Sequence, residues 1–211
     1  LAGFNPIGDG TLAFSGTFDG NNKTITGLNI DRAATNGVGL FGIADTSASI
    51  SNVGLVDASI TGDVNVGALV GINNGGSISN AYSTGNVNNG IASSNVGGLV
   101  GQNSSGSVTD SFWNTDTSNQ TTSAGGTGVT DGYMKEASTF TNWSIASTGG
   151  SGAVWRIYAG YTSPLLRSFL TPLLVQPTYD GSGAALNIAG SLALPAGTDM
   201  SKISGSVIDG T

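Results

Sequence analysis

Carboxylate side chains are the first candidates for chemistry in this 211-residue sequence, because it contains no His and no Cys. A glycosidase uses two carboxyl groups held about 5–9.5 Å apart. Asp57 with Asp63, and Asp110 with Asp116, are the candidate pairs. Since no feature of the spacing places either pair on one face of a cleft, we interpret these residues as surface turns and predict no catalytic site.

The distribution of positive charge also argues against catalysis. A polysaccharide lyase needs a base and commonly a cation that stabilises developing negative charge. No Lys or Arg occurs between Arg32 and Lys135, and the net charge is −7. That charge has the wrong sign for attraction to nucleic acid or an anionic membrane. We therefore expect a protein that is not an enzyme and binds no nucleic acid, with a polysaccharide-processing enzyme as the alternative.

Metal binding has equally little support. The missing His and Cys exclude a Ser-His-Asp triad and zinc–thiolate sites. Calcium could use carboxylates and backbone carbonyls, but Asp9 and Asp19 lie in Gly-rich turns, where Asp commonly bonds its own backbone. We predict neither a metal nor a cofactor.

Two sets of side chains are candidates for contact with carbohydrate. Four asparagines begin Asn-x-Ser/Thr sequons and are candidate glycosylation sites: Asn22, Asn103, Asn119 and Asn142. Three tryptophans are candidates for a sugar-stacking surface: Trp113, Trp143 and Trp155. We favour burial of these tryptophans in a cap that plugs the end of the repeats, because burial is needed there.

The elements that position these residues repeat with a constant period. Three Gly-rich apolar segments share one pattern and end 29 and 30 residues apart: Val38–Gly42, Val66–Gly71 and Val96–Gly101. A second motif follows each of them: Ile50–Val53, Ile78–Ala81 and Val108–Ser111, with an earlier copy at Ile25–Leu28. Short β-type runs bounded by Gly, Asn and Ser are typical of strands separated by tight turns.

A third run follows the second motif, Ser59–Val64 in one repeat and Ser83–Val87 in the next. Three such runs per period predict an all-β fold, a right-handed parallel β-helix of four or five coils. Equivalent residues then stack into apolar ladders: Val38/Val66/Val96, Leu40/Leu69/Leu99 and Ile25/Ile50/Ile78/Val108. Asn52, Asn80 and Asp110 are expected to form a polar ladder at a corner. A disordered linker and an antiparallel sandwich are the alternatives, but neither requires this phase. The helical turn expected from the sequence is Met134–Ala137, with Asp131 as its cap.

The segment Gly98–Gly101 and its copies resemble the GLUG motif of large secreted bacterial surface proteins. Phe14–Leu28 resembles the coil that precedes such repeats, and Trp143–Ile145, Val154–Ile157 and Tyr161–Leu166 resemble their exit, so the resemblance covers about residues 4–172. These proteins include filamentous-haemagglutinin-like exoproteins of two-partner secretion, other adhesins and some surface peptidases.

A second resemblance begins near Val175. Pro177–Gly181, followed by Leu186, is similar to the start of a YDG/MBG-type module. The expected organisation is β-helix coils over residues 1–111, a last coil with an aromatic-rich C-terminal cap over 112–174, and part of a small β module over 175–211.

Together the resemblances imply a segment of a secreted or cell-surface bacterial adhesin. It is expected to be monomeric and to act as a rigid spacer or display surface in attachment to host cells, matrix or other bacteria. The expected partners are a surface glycan or protein and, for the parent protein, an outer-membrane secretion partner. The non-catalytic region of a surface peptidase is a further alternative.

Overall fold

The computed structural model describes residues 2–148 and 152–166, with the backbone alone for residues 91–93. These residues belong to one compact unit, Leu1–Leu170. A second unit, Thr171–Thr211, lies outside the described residues. The proposed module at 175–211 therefore stays a prediction.

The unit is built almost entirely of strands. In chain order these are β1 (Thr17–Thr26), β2 (Asn29–Asp31), β3 (Phe41–Ala44), β4 (Ser49–Gly67), β5 (Val70–Asn73), β6 (Ser77–Gly97), β7 (Val100–Asn103), β8 (Ser107–Thr109), β9 (Phe112–Asn114), β10 (Thr127–Val129), β11 (Ile145–Ala146), β12 (Trp155–Arg156) and β13 (Leu165–Leu166). The helical turns are α1 (Thr115–Ser118), α2 (Asp131–Met134) and a 3₁₀ turn, Ala137–Phe140.

Parallel stacking of the strands confirms the predicted β-solenoid. One sheet has the order β1-β4-β6-β9-β10, with β2 beside β4 and β8 beside β6, and a second has the order β3-β5-β7. The register pairs Ile50 with Ile78 and Val66 with Val96, so each residue lies on its counterpart one repeat later. The stack makes about three turns, fewer than the four or five expected. Residues 2–16 add only single bridges at the first coil, and residues 115–130 add only the three-residue strand β10 beside β9.

The apolar ladders fill the core as predicted, with one correction. Val38, Val66, Leu40, Leu69 and Leu99 are all buried in a single cluster. The residue below Ile50, however, is Phe18, and Ile25 instead pairs with Leu55. The register of β1 shifts between Asp19 and Lys23, at two consecutive left-handed asparagines, so the Ile25–Leu28 copy of the motif is displaced from the ladder.

The ends of the stack are closed by short returning segments. At the first coil, Ile7 and Phe14 form single parallel bridges to Phe41 and Ala44. At the last coil, the N–H of Ala124 donates to the Val100 carbonyl at 2.9 Å. A Gly-, Ser- and Thr-rich segment therefore covers the end where an aromatic plug was predicted.

Most of the aromatic residues expected in the cap pack on the side of the solenoid. Outward-facing residues of three successive coils, Val56, Tyr82 and Phe112, contact a second buried cluster. Its other members come from the C-terminal part: Met134, Phe140, Trp143, Trp155 and Ile157. All three tryptophans are buried, as expected. Trp113 lies in the solenoid core at the last coil, whereas Trp143 and Trp155 belong to the second cluster beside the coils. We call this cluster, with the chain from 131 to 166 that carries it, the lateral layer.

Tyr82 attaches the lateral layer to the coils. Its ring is fully buried, and its hydroxyl donates to the Pro164 carbonyl at 2.7 Å. Burial, with a smaller contribution from the nearby charge of Asp57, raises the pKa of Tyr82 far above the usual value of a phenol. The coil below has Gly54 at this position, where a β-carbon would overlap the Tyr82 ring. The glycine therefore makes the space that the tyrosine occupies.

The helical turns differ from the sequence prediction. The turn α2 spans Asp131–Met134 instead of Met134–Ala137, and its N-cap residue is Thr130, so Asp131 is the first helical residue. A second turn, α1, was not predicted. The Asn114 side chain caps it by accepting hydrogen bonds from the Asp116 and Thr117 N–H groups at 2.9 and 3.3 Å.

Candidate functional site

The four aspartates considered as catalytic candidates lie at different kinds of position in the fold. Asp57 is exposed and left-handed (φ 52°), and its N–H donates to the Thr84 hydroxyl. Asp63 is half-buried after the bulge in β4. Asp110 is a left-handed corner residue, and Asp116 lies in α1. Within residues 2–148 and 152–166, no three carboxylates come together in a way that could hold a metal ion.

Asp9 and Asp19 bond their own backbone, as the sequence indicates. Asp9 accepts from the Thr11 and Leu12 N–H groups, which lower its pKa, the Leu12 bond contributing most. Asp19 accepts from the Asn52 amide at 3.0 Å and from the Asn21 N–H at 2.8 Å. These two bonds, with the Asn52 bond first, lower the pKa of Asp19.

The predicted polar corner ladder is present as side-chain bonds for Asn52 and Asn80, whereas the Asp110 carboxylate bonds a different segment. Asn80 Nδ2 donates to Asn52 Oδ1 at 3.4 Å, and Asn52 in turn donates to Asp19. Asn52, Asn80 and Asp110 all adopt left-handed backbone angles, with φ of 56°, 49° and 44°. Asn and Asp are the residues other than Gly that tolerate this region most readily. The Asp110 carboxylate accepts from Asn142 at 2.6 Å.

A second ladder was not predicted. Asn95 Nδ2 donates to Asn65 Oδ1 at 2.7 Å, and Asn65 Nδ2 donates to Asn36 Oδ1 at 2.8 Å. Asn65 and Asn95 each directly precede the Val-Gly pair of a repeat, but Gly37 separates Asn36 from Val38. That one-residue insertion hides the alignment in the sequence.

The sequon asparagines take part in similar contacts. Asn103 is half-buried, and its side chain exchanges hydrogen bonds with the Gly106 N–H and carbonyl while accepting from Asn73. Asn119 is exposed, and its amide donates to Asn86 at 2.9 Å. Asn142 is exposed and donates to Asp110. Asn22 is half-buried in β1 at φ 57°.

One cluster of charged residues joins the top coil to the lateral layer. Asp131 accepts from Lys135 Nζ at 2.5 Å and from Asn114 Nδ2 at 3.0 Å. Its own N–H donates to the Asp116 carboxylate at 2.8 Å. Lys135 and, to a smaller extent, Asn114 lower the pKa of Asp131. The cluster is a structural junction, because each carboxylate binds groups of the chain itself.

The three tryptophans predicted as stacking candidates are buried. Trp113 belongs to the core of the solenoid, whereas Trp143 and Trp155 pack against each other in the lateral layer with ring centres 5.1 Å apart. No ring of the three presents an open face, so the structure does not support them as a stacking surface.

Three tyrosines of the lateral layer are exposed, as is Phe4 near the N-terminus at 43%. Tyr158 and Tyr161 fall in the segment expected to form the cap, but their exposure was not predicted. Tyr133 and Tyr161 are 64% and 62% exposed, and Tyr158 is 44% exposed. Of the three, Tyr133 lines a shallow depression, together with Thr130, Gly132 and Glu136. Their position in Gly-containing turns, next to Gly132 and Gly160, is the signal that would have found them.

The described part of the chain has only four-residue helices, none of which is long and apolar enough to cross a membrane. No solved structure matches the chain.

Comparison with known proteins agrees with the repeat. Halomucin from Haloquadratum walsbyi is 44% identical over 89 residues, which are 41% of this chain and 1% of halomucin. A putative Gly-rich membrane protein from Evansella cellulosilytica is 40% identical over 76 residues, 35% of this chain and 9% of that protein. The chain thus spans a small part of both relatives. Residues 62–88, one coil from the end of β4 through β5 into β6, match the family described as the GLUG motif.

Proposed function

We propose that this chain is part of a cell-surface or secreted protein and acts there as a rigid, non-catalytic display scaffold in attachment. The observation that carries the proposal is the GLUG-type solenoid, in which the polar side chains at the corners and in the charged cluster bond other groups of the chain. Similarity to halomucin and to a protein named as a Gly-rich membrane protein supports a surface location.

The chemistry of the coils supports a scaffold. Their interior is a continuous apolar ladder, and their corners are tied by asparagine bonds between coils. Each coil thus supports the next through packing and through repeated polar contacts. The long stretch without Lys or Arg leaves a neutral or acidic surface around the coils.

Two experiments test this proposal. Antibodies against the purified chain should label intact cells of the producing organism, and external proteinase K should remove the signal. Labelling that appears only after lysis would contradict the surface location. Deleting the coding region for the coils should lower attachment of the cells to host cells, matrix or one another, and unchanged attachment would contradict the adhesive role.

The second candidate is a polysaccharide-processing enzyme, which would use the carboxylates of Asp57 with Asp63 or of Asp110 with Asp116. Depolymerase assays on acidic and neutral glycans are expected to give no turnover. Turnover that Asp57→Ala or Asp110→Ala abolishes would replace the scaffold proposal.

A further inference from the structure

We infer that the exposed tyrosines of the lateral layer, Tyr133, Tyr158 and Tyr161, form a binding surface for a neutral oligosaccharide. The site deepens the attachment role proposed above by naming a ligand class, and it rests on that role for its biological meaning. It differs from the tryptophan surface considered from the sequence, whose rings are buried.

The backbone brings the three tyrosines to one region. The Gly160 N–H donates to the Lys135 carbonyl at 3.0 Å, which ties the turn after β12 to the end of α2. Tyr158 and Tyr161 flank Gly160 in that turn, and Tyr133 lies two residues before Lys135. The turn is itself closed by the Tyr161 and Thr162 N–H groups, both of which donate to the Tyr158 carbonyl.

The site is held in place by the packing beneath it. Met134 and Ile157 are neighbours of the exposed tyrosines in sequence, and both are fully buried in the lateral cluster. The guanidinium of Arg156 lies 4.9 Å from the centre of the Tyr158 ring and restrains it by a cation–π contact. The tyrosine rings are thus presented on a fixed backbone, which lowers the entropy that a ligand must offset on binding.

The types of residue select the ligand. Tyrosine has an apolar ring face and a polar hydroxyl, which suits a pyranose with its C–H face and surrounding hydroxyl groups. The depression beside Tyr133 adds the Thr130 hydroxyl and the Glu136 carboxylate, and a carboxylate is a strong acceptor for sugar hydroxyls. Lys135 is paired with Asp131, and Arg156 at Tyr158 balances Glu136, so the site carries no net positive charge that would favour a polyanion. The net charge of −7 of the chain disfavours one. An apolar surface is also disfavoured as the partner, because it would remove water from the Glu136 carboxylate without offering it a hydrogen bond.

The test measures binding of two neutral probes, chitopentaose and cellopentaose, to the full chain by isothermal titration calorimetry and saturation-transfer NMR. Pentagalacturonate serves as the charged counterpart. We expect saturable binding of at least one neutral probe and weaker binding of pentagalacturonate. Tyr133→Ala and Tyr161→Ala should each weaken that binding about three- to tenfold, the effect of losing one ring contact.

The variants keep the outcome interpretable, because both side chains are mostly exposed and their removal should leave the unfolding midpoint unchanged. Leu12→Ala, at an exposed leucine of the first end segment (78% exposed), is the matched control and should bind like the wild type. The inference is overturned if neither neutral probe binds, if pentagalacturonate binds more tightly, or if both tyrosine variants bind as the wild type does. Labelling of intact cells tests the surface location separately. Failure of the binding assay and failure of the surface location can therefore be told apart.

Discussion

Replacing Asn65 by Gly or by Ala separates two contributions of a corner asparagine to the stability of the solenoid. Asn65 is 6% exposed and has φ 57°. Its side chain bonds the coil on either side, at 2.7 Å to Asn95 and 2.8 Å to Asn36. Both variants remove the two side-chain bonds, but only the Ala variant places a β-carbon in the left-handed region without a compensating polar contact.

The free energies follow from these contacts. Each lost hydrogen bond lowers the free energy of unfolding by about 1 kcal/mol, so both variants should lose at least about 2 kcal/mol. A residue with a β-carbon in the left-handed region costs about 1–2 kcal/mol. Alanine offsets about 0.4–1 kcal/mol of this cost relative to glycine, because an unfolded chain with alanine at this position has lower conformational entropy. Asn65→Ala should therefore be less stable than Asn65→Gly by about 0.8 kcal/mol at the midpoints of these ranges, and by about 1.6 kcal/mol at most.

The assay is equilibrium urea unfolding of the full chain, followed by far-UV circular dichroism and extrapolated linearly to water. Asn119 is the matched control, since it has φ 58° but is exposed and donates one bond, to Asn86. Asn119→Gly should cost at most about 1 kcal/mol. The reasoning is refuted if Asn65→Ala is as stable as Asn65→Gly, or if both lie within about 0.5 kcal/mol of the wild type.

Three further perturbations test the core, the lateral layer and the charged junction. Leu69→Asp should unfold the solenoid or cost more than about 4 kcal/mol, whereas Leu12→Asp should leave the urea midpoint unchanged. Gly54→Ala should cost about 1–3 kcal/mol through overlap with the Tyr82 ring, and less in a Tyr82→Ala background; equal costs in both backgrounds would contradict the contact. Asp131 has a lowered pKa when folded, so its stabilising effect is present above the unfolded value of about 3.8 and is lost as the pH falls through the folded pKa. The stability difference between wild type and Asp131→Asn should therefore shrink in acid urea titrations, and a constant difference would refute that role.

The repeat was predictable because every inner position must hold an apolar side chain in every coil. Leu40, Leu69 and Leu99 must all be apolar and must recur at the stacking period, so sequence identity and structural position coincide. The prediction was wrong for Ile25, because the left-handed pair at Asn21 and Asn22 changes the length of the first coil.

The lateral layer was not predictable in this way. Outward positions at the same height in successive coils are Gly54, Tyr82 and Phe112, three residues with no common type. Their shared role appears only when a distant segment, which ends near Pro164, folds back over them. A periodic pattern carries no information about a contact that is made once, so the aromatic residues were assigned to the nearest open end.

The position of β13 has a mechanical consequence. Leu165 and Leu166 lie beside β1 in the first coil, and Ile7 bridges to Phe41 in the same coil. A pulling force applied at residues 2 and 166 would therefore load the first coil, the two-residue pairing of β12 with β13 and the hydrogen bond from Tyr82 in β6 to Pro164. Because these contacts are few and short, tension should separate the lateral layer from the coils before it unfolds the long parallel pairing of β4 with β6.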